Sequence, residues 1–386
     1  MTDLIVTNFA GPGSSKSIFI REGRIESKSA LPPDTRVIDC GGRAVIPGFV
    51  DSHTHAVFAG DRSDEFISRL SGVSYTDLAA NGGGIGATVA ATRQCSEEDL
   101  FDIARERVWR MIRGGTTTLE IKSGYGLDLE NELKILRVAR RIGAEMPITV
   151  RTTFLGAHTV PVEFQSNRRG YLDLVVKEMI PRAAALSDFC DVFVERDVFS
   201  VNEAREVLLA GLEHGMRPRV HAEQLSRLGG ARLAAELGAL SADHLDHVTE
   251  DDAEALAEAG VVAGLVPGAS YSLGDPQAPG KMLRRIGVEL ALATDCNPGT
   301  SYFESMGLVI SLAVVQMGLT LDQALRAATL GGAHSLGFDD RGEIADGKVA
   351  DLVILDAPSP AHLAYRPATP LVWKTIKAGQ VVYSAE

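Results

Sequence analysis

The chain has 386 residues, 45% of them hydrophobic and 23% charged, with a formal net charge of -13. That length is ample for a large core, and the composition is that of an ordinary soluble globular protein. The acidic balance argues against nucleic acid or an anionic membrane surface as partner, although one arginine in a focused pocket can still receive an anionic substrate.

The N-terminal stretch MTDLIVTNFAGPG has no basic segment leading into an apolar core, and no apolar run approaches membrane-spanning length. The four cysteines, Cys40, Cys95, Cys190 and Cys296, lie far apart and form no CxxC pair, so neither a disulfide framework nor a thiolate metal site is expected. The expectation is a cytoplasmic protein. Short β-like runs open the chain at Leu4 to Thr7, Ser17 to Arg21 and Arg36 to Cys40, with a loose turn segment at Gly11 to Ser15. An apolar run from Val45 to Val50 then reads as one buried parallel strand leading into IPGFVDSHTH.

From there to Asn297, apolar strand-like segments alternate with amphipathic helical ones. The strands end at His53, Lys122, His158, Glu195, His221, His244, near Pro267, and at Asp295; helical stretches include Glu97 to Arg113, Leu129 to Gly143, Asn202 to His214 and Asp251 to Ala259. Eight βα units over this length predict an α/β fold, a (β/α)8 TIM-like barrel spanning 47–340. Strand-like runs at Leu352 to Leu355, Leu371 to Ala378 and Gln380 to Ser384 close the chain, and with the opening runs they predict a small β-sandwich domain built from both termini, 1–46 and 341–386. A doubly wound sheet is the competing architecture, but it gives no reason for polar residues at eight strand ends.

In such a barrel the C-terminal strand ends converge on one mouth, where active sites sit. Those ends carry His53, His55, His158, Glu195, His221, His244 and Asp295. Strand side chains alternate with period two, so His53 and His55 point the same way. Neutral imidazole is the commonest metal ligand. Each histidine alone reads as a packed core residue; so many of the nine at one rim read as a metal site.

This order of motifs resembles the metal-dependent amidohydrolase superfamily: HxH after the first strand, His after the fifth and sixth, Asp after the eighth. The resemblance covers essentially the whole chain. It implies metal ligation by His53, His55, His221 and Asp295, with one Zn2+ or Fe3+ per subunit, catalytic roles for His244, Asp295 and Gln224, and a homodimer. It also implies hydrolysis of a C–N bond at an sp2 carbon. Where binuclear relatives carry a bridging carboxylate this chain has Glu195, read as structural beside a single metal. Lys122 and Cys296 are read as structural too.

Local strings narrow the substrate. FAGDRSDEF, KSGYGLD, TFLGAHTVP, HAEQLS and ATDCNPGTS resemble a branch of the superfamily that opens a small, flat cyclic amide with a carboxylate tail. That resemblance implies substrate contacts from Arg62, Tyr125, His158, Gln224, Asn297, Gly299 and Thr300. Arg62 could grip the carboxylate bidentately. The plainer readings are pairing of Arg62 with Asp61 or Asp64, packing of Tyr125, and a simple turn at Asn297 to Thr300. Gln224, placed one helical turn past His221, stands where some relatives carry a glutamate base, so proton transfer falls to Asp295 and His244. The alternatives are another amidohydrolase such as a ring deaminase, a non-catalytic barrel, and a metal-independent enzyme.

Overall fold

The computed structural model describes residues 3–10, 17–26, 35–72, 83–367 and 369–385; the Gly11–Ser15 segment falls outside them. Alternating buried and half-exposed residues make β1 (Leu4–Thr7) and β2 (Ser17–Arg21), followed by β3 (Arg24–Glu26) and β4 (Arg36–Asp39). They form one sheet in the order β3-β2-β1-β4. Period-two burial is what a sheet covered on one face requires.

The Val45–Val50 run is two strands rather than the single one expected. β5 (Val45–Pro47) and β6 (Phe49–Asp51) belong to different sheets. The break falls at Pro47, which has no N–H to give a ladder, and at Gly48, where a Cβ would lie 2.4 Å from Thr117 Oγ1. Only glycine lets the chain pass that close.

β6 opens the barrel. It is followed by β7 (Thr116–Lys122), β8 (Thr149–Ala157), β9 (Phe189–Val194), β10 (Arg217–Ala222), β11 (Ser241–His244), β12 (Val262–Leu265) and β13 (Leu290–Leu292). These eight strands pair in sequence order, each parallel to the next. The circle closes just past the first and last strands: Asp295 N donates to His53 O at 3.0 Å and His55 N to Cys296 O at 3.0 Å. Below this stitch the Asp51 carboxylate accepts from Thr294 N at 2.9 Å and Thr294 Oγ1 at 2.7 Å. The closure therefore places the HxH pair beside Asp295.

The crossover helices follow their local signals. The helix Glu97–Arg113 has the bounds the sequence predicts; Ser96 accepts from Asp99 N at 3.1 Å as its cap, and Glu97, Glu98 and Asp99 complement the helix dipole. Leu100, Phe101, Ala104, Val108, Met111 and Ile112 form its buried stripe, packed with Leu119 and Ile121 of β7. Full burial of each large side chain contributes about 1.5–3 kcal/mol.

β14 (Leu352–Leu355), β15 (Val372–Lys377) and β16 (Gln380–Ser384) complete a second sheet, ordered β16-β15-β14-β5. Leu4, Val6, Ile18 and Ile20 share one core with Leu352, Ile354 and Ile376, so the two terminal sheets face each other. Among the described residues no helix is long and apolar enough to cross a membrane.

Candidate active site

His53 and His55 stand just beyond β6, in extended backbone held by the closing bonds described above. Their Nε2 atoms lie 3.4 and 3.5 Å from Asp295 Oδ1. Ligand atoms of His53, His55 and His221 fall within 4.8 Å of one another, and so do those of His53, His244 and Asp295. All five residues are buried. Two of them have left-handed backbone: His244 at φ 77° and Asp295 at φ 50°. Such non-glycine conformations cost of order 1–3 kcal/mol each and persist where surrounding structure enforces them, commonly at functional sites.

The electrostatics suit a cation. Burial, first of all, lowers His53, His55 and His244 well below the usual histidine range and raises the Asp295 carboxyl well above the usual carboxylate range. These three imidazoles are thus neutral donors, and Asp295 lacks an arginine or lysine partner of its own. Nε2 of His53, Nδ1 of His55 and of His244, and both ring nitrogens of His221 make no hydrogen bond among the described residues. Buried polar atoms are nearly always satisfied, and a metal ion is the one group that takes up several converging lone pairs at once. The residues fit a metal.

Behind the imidazoles lies a buried layer of charge that the sequence reading missed, apart from Lys122, which it treated as structural. His53 Nδ1 donates to Asp243 Oδ2 at 2.7 Å, which directs Nε2 to the cluster. His221 Nδ1 stands 3.0 Å from Asp191 Oδ2, close but off the axis of a good hydrogen bond. Arg219 donates to Asp243 Oδ2 at 3.0 Å, and Lys122 to Glu120 Oε1 at 2.9 Å and Asp191 Oδ2 at 2.8 Å. The available signal was alternation: Glu120 and Lys122 sit two apart in a strand whose every residue is buried.

The remaining residues are placed as follows. His158 stacks on His55, with ring centroids 5.1 Å apart, and burial brings its pKa down to about 4. Its Nδ1 lies 2.9 Å from Gly124 O; a carbonyl can only accept, so Nδ1 carries the proton and Nε2 is an acceptor. Tyr125 lies beside both rings, at 5.6 Å from His55 and 5.4 Å from His158, its phenol kept protonated by burial. Gln224 is in irregular chain rather than a helical turn past His221. Glu223 has φ 54°, and its carboxylate accepts from Leu228 N at 2.7 Å and Gly229 N at 2.9 Å ahead of the helix Gly230–Glu236, which holds the chain away from helical geometry. Glu195 accepts from Leu225 N at 2.9 Å and Ser226 N at 3.0 Å, so its carboxylate holds this loop.

Arg62 stands at the N-cap position of the helix Ser63–Leu70 without capping it and pairs with Glu65, not with Asp61 or Asp64, because the i,i+3 spacing brings that carboxylate beneath it. A Cβ on Gly299 would lie 2.6 Å from Arg62 Nη1, so the glycine leaves room for the guanidinium. The Asn297 amide is engaged within its own loop: Nδ2 donates to Asp295 O at 2.7 Å, and Oδ1 accepts from Gly299 N at 2.9 Å and Thr300 N at 2.8 Å. These bonds shape the turn that carries Asp295.

A model of the amidohydrolase family matches residues 167–383. The imidazolonepropionase of Syntrophobacter fumaroxidans is 50% identical over 331 residues, covering 85% of this chain and 78% of that protein. That of Myxococcus xanthus is 45% identical over 381 residues, covering 96% and 90%. Among solved structures, N-isopropylammelide isopropylaminohydrolase from Burkholderia multivorans superposes with a TM-score of 0.75 at 18% identity, over 100% of this chain and 99% of that one. Guanine deaminase from C. acetobutylicum gives 0.69 at 15% identity, over 99% and 100%. At such identities the structural likeness speaks for the fold alone.

Proposed function

The chain belongs to the imidazolonepropionase family, and from that premise we infer how its residues open the ring of 4-imidazolone-5-propanoate to give N-formimidoyl-L-glutamate in histidine degradation. The enzyme is a hydrolase acting on a cyclic amide C–N bond. One observation carries the reading: four imidazoles and one carboxyl side chain, from four separate loops and strand ends, converge in a buried cluster with unpartnered nitrogens.

His53, His55, His221 and Asp295 would hold a single Zn2+ or Fe3+. Bound there, the ion supplies Lewis acidity and brings the pKa of a water molecule toward neutrality. Asp295 Oδ1 lies within 3.5 Å of both HxH rings, where it can take the proton of the attacking water and deliver it to the departing ring nitrogen. One C–O bond forms at the carbonyl carbon, one C–N bond breaks, and the water's proton ends on nitrogen. His244 is neutral, and its ring centroid lies 5.2 Å from that of His221, so an N–H can face the oxyanion that develops during attack. Gln224 offers a donor and an acceptor to the ring but no titratable group, which leaves base duty to Asp295.

In this reading Arg62 receives the propanoate carboxylate by exchanging its Glu65 partner for substrate. Tyr125 presents a protonated hydroxyl and His158 an acceptor Nε2 to the ring's polar edge. Gly299 and Thr300 complete the rim through the turn that Asn297 fixes. The net charge of -13 accords with a small substrate rather than nucleic acid or membrane, and four free, scattered cysteines accord with a cytoplasmic setting. We also propose that the chain works as a homodimer.

The test is an ultraviolet assay of imidazolone propanoate loss with parallel elemental analysis of the purified protein. Loss of the substrate with stoichiometric metal supports the reading. Ammonia release from a purine, with none of the propanoate consumed, would favour a ring deaminase instead.

A further inference from the structure

Lys122 is fully buried at the end of β7, where its ammonium touches three carboxylates from three strands. Nζ lies 2.9 Å from Glu120 Oε1, 2.8 Å from Asp191 Oδ2 and 3.8 Å from Asp243 Oδ2. The last two are the carboxylates that face the ligand imidazoles: Asp191 toward His221 Nδ1 at 3.0 Å, and Asp243 toward His53 Nδ1 at 2.7 Å. Taking an ammonium out of water is costly, and a well-packed apolar side chain of similar size is often no worse for stability. A lysine here therefore calls for a reason beyond filling space.

We propose that Lys122 is a positioning residue of the metal centre: a buried cation that bonds Asp191 and, together with Arg219, holds Asp243, so that His221 and His53 present fixed ring orientations to the ion. Outer partners of metal-bound histidines set ring orientation and ligand basicity, and their loss commonly costs 10- to 100-fold in metal affinity. Lys122 acts on two ligands at once because Asp191 of β9 and Asp243 of β11 both reach its ammonium, at 2.8 and 3.8 Å. Glu120 balances the charge without touching an imidazole; its oxygens accept from Thr54 N at 3.0 Å, from Thr153 Oγ1 and from Lys122.

The inference rests on the metal-dependent reading, and the experiment separates the two. Metal-stripped wild type, Lys122→Met and the charge-balanced Lys122→Met/Glu120→Gln are titrated with Zn2+ and with Co2+, whose visible spectrum reports ligand geometry. Circular dichroism monitors folding. The double variant removes one positive and one negative charge, so it guards against collapse from an unpaired buried carboxylate. The expected result is native circular dichroism with Zn2+ bound about 10- to 100-fold more weakly and shifted Co2+ bands. Wild-type affinity and an unchanged Co2+ spectrum in the folded double variant would overturn the proposal while leaving the metal site intact. Failure of both variants to fold even with saturating Zn2+ would overturn it too, making Lys122 a requirement of the fold instead. No Zn2+ uptake by wild type would instead refute the metal reading itself.

Discussion

Replacing Gly264 with alanine places one methyl carbon where the Asp243 carboxylate now sits. A Cβ at this position falls 2.1 Å from Asp243 Oδ1 and 2.9 Å from its carboxyl carbon. The backbone cannot retreat, because β11 and β12 are fully buried and paired in register, Asp243 opposite Gly264. The carboxylate must therefore swing away by roughly 1 Å or more to regain ordinary van der Waals contact. That movement strains the 2.7 Å bond from His53 Nδ1 and the 3.0 Å bond from Arg219 to the same oxygen. Overpacking of this kind costs about 1–3 kcal/mol, and losing a hydrogen bond to a charged group adds about 1.5–3 kcal/mol. Because Asp243 sets the orientation of His53, Zn2+ affinity should fall about 10- to 100-fold. Thermal unfolding of the metal-free protein reads the first effect, and Zn2+ titration of the folded variant reads the second. A folded Gly264→Ala protein that binds Zn2+ as wild type does would refute the role given to Asp243.

Three further outcomes are expected. His221→Ala and Asp295→Ala should each lose both metal and ring opening; full activity in either would reject the ligand assignment. Arg62→Ala should raise KM about 10- to 100-fold through loss of a charge-assisted pair with the carboxylate, whereas Glu65→Gln, by freeing Arg62, should lower it; an unchanged KM in both would dissociate this arginine from substrate. Burial alone would raise the Asp252 carboxyl, but Arg227 at 2.7 Å, Thr249 and Arg232 at 2.9 Å hold it down to about 2. Its folded pKa lies below the ordinary 3.8, so the stabilisation is present above that pH and is lost as pH falls through about 2. Asp252→Asn should thus cost about 1 kcal/mol near neutrality after screening by solvent, with the gap from wild type closing in acid; a gap that stays constant to pH 2 would contradict the linkage.

Much of this architecture was legible in the sequence because its signals are local. Ser96 and Asp99 mark the start of the Glu97–Arg113 helix, Gly114 marks its end, and apolar strands ending in histidine or aspartate announce the barrel mouth. The split at Pro47–Gly48 was not read, since an unbroken apolar run carries no sign that its halves serve different sheets. The inner charge layer escaped because Glu120, Asp191, Arg219 and Asp243 are distant in sequence, and only the closed barrel sets them side by side. Asp243 and His244 illustrate the difficulty best. Adjacent strand residues point to opposite faces, yet both serve the same centre, because His244 turns the chain with φ 77°. Left-handed backbone at a histidine has no sequence marker, unlike glycine. The partner of Arg62 was missed for a simpler reason: three acidic residues lie within three positions of it, and only the helix chooses Glu65.

The most direct test of the metal centre is anomalous diffraction from crystals of the purified protein, recorded at the zinc and iron absorption edges. One peak within about 2.0–2.2 Å of nitrogens from His53, His55 and His221 and an oxygen of Asp295 is the predicted result. A peak held by Glu195, or no peak while the crystals still open the ring, would contradict the account.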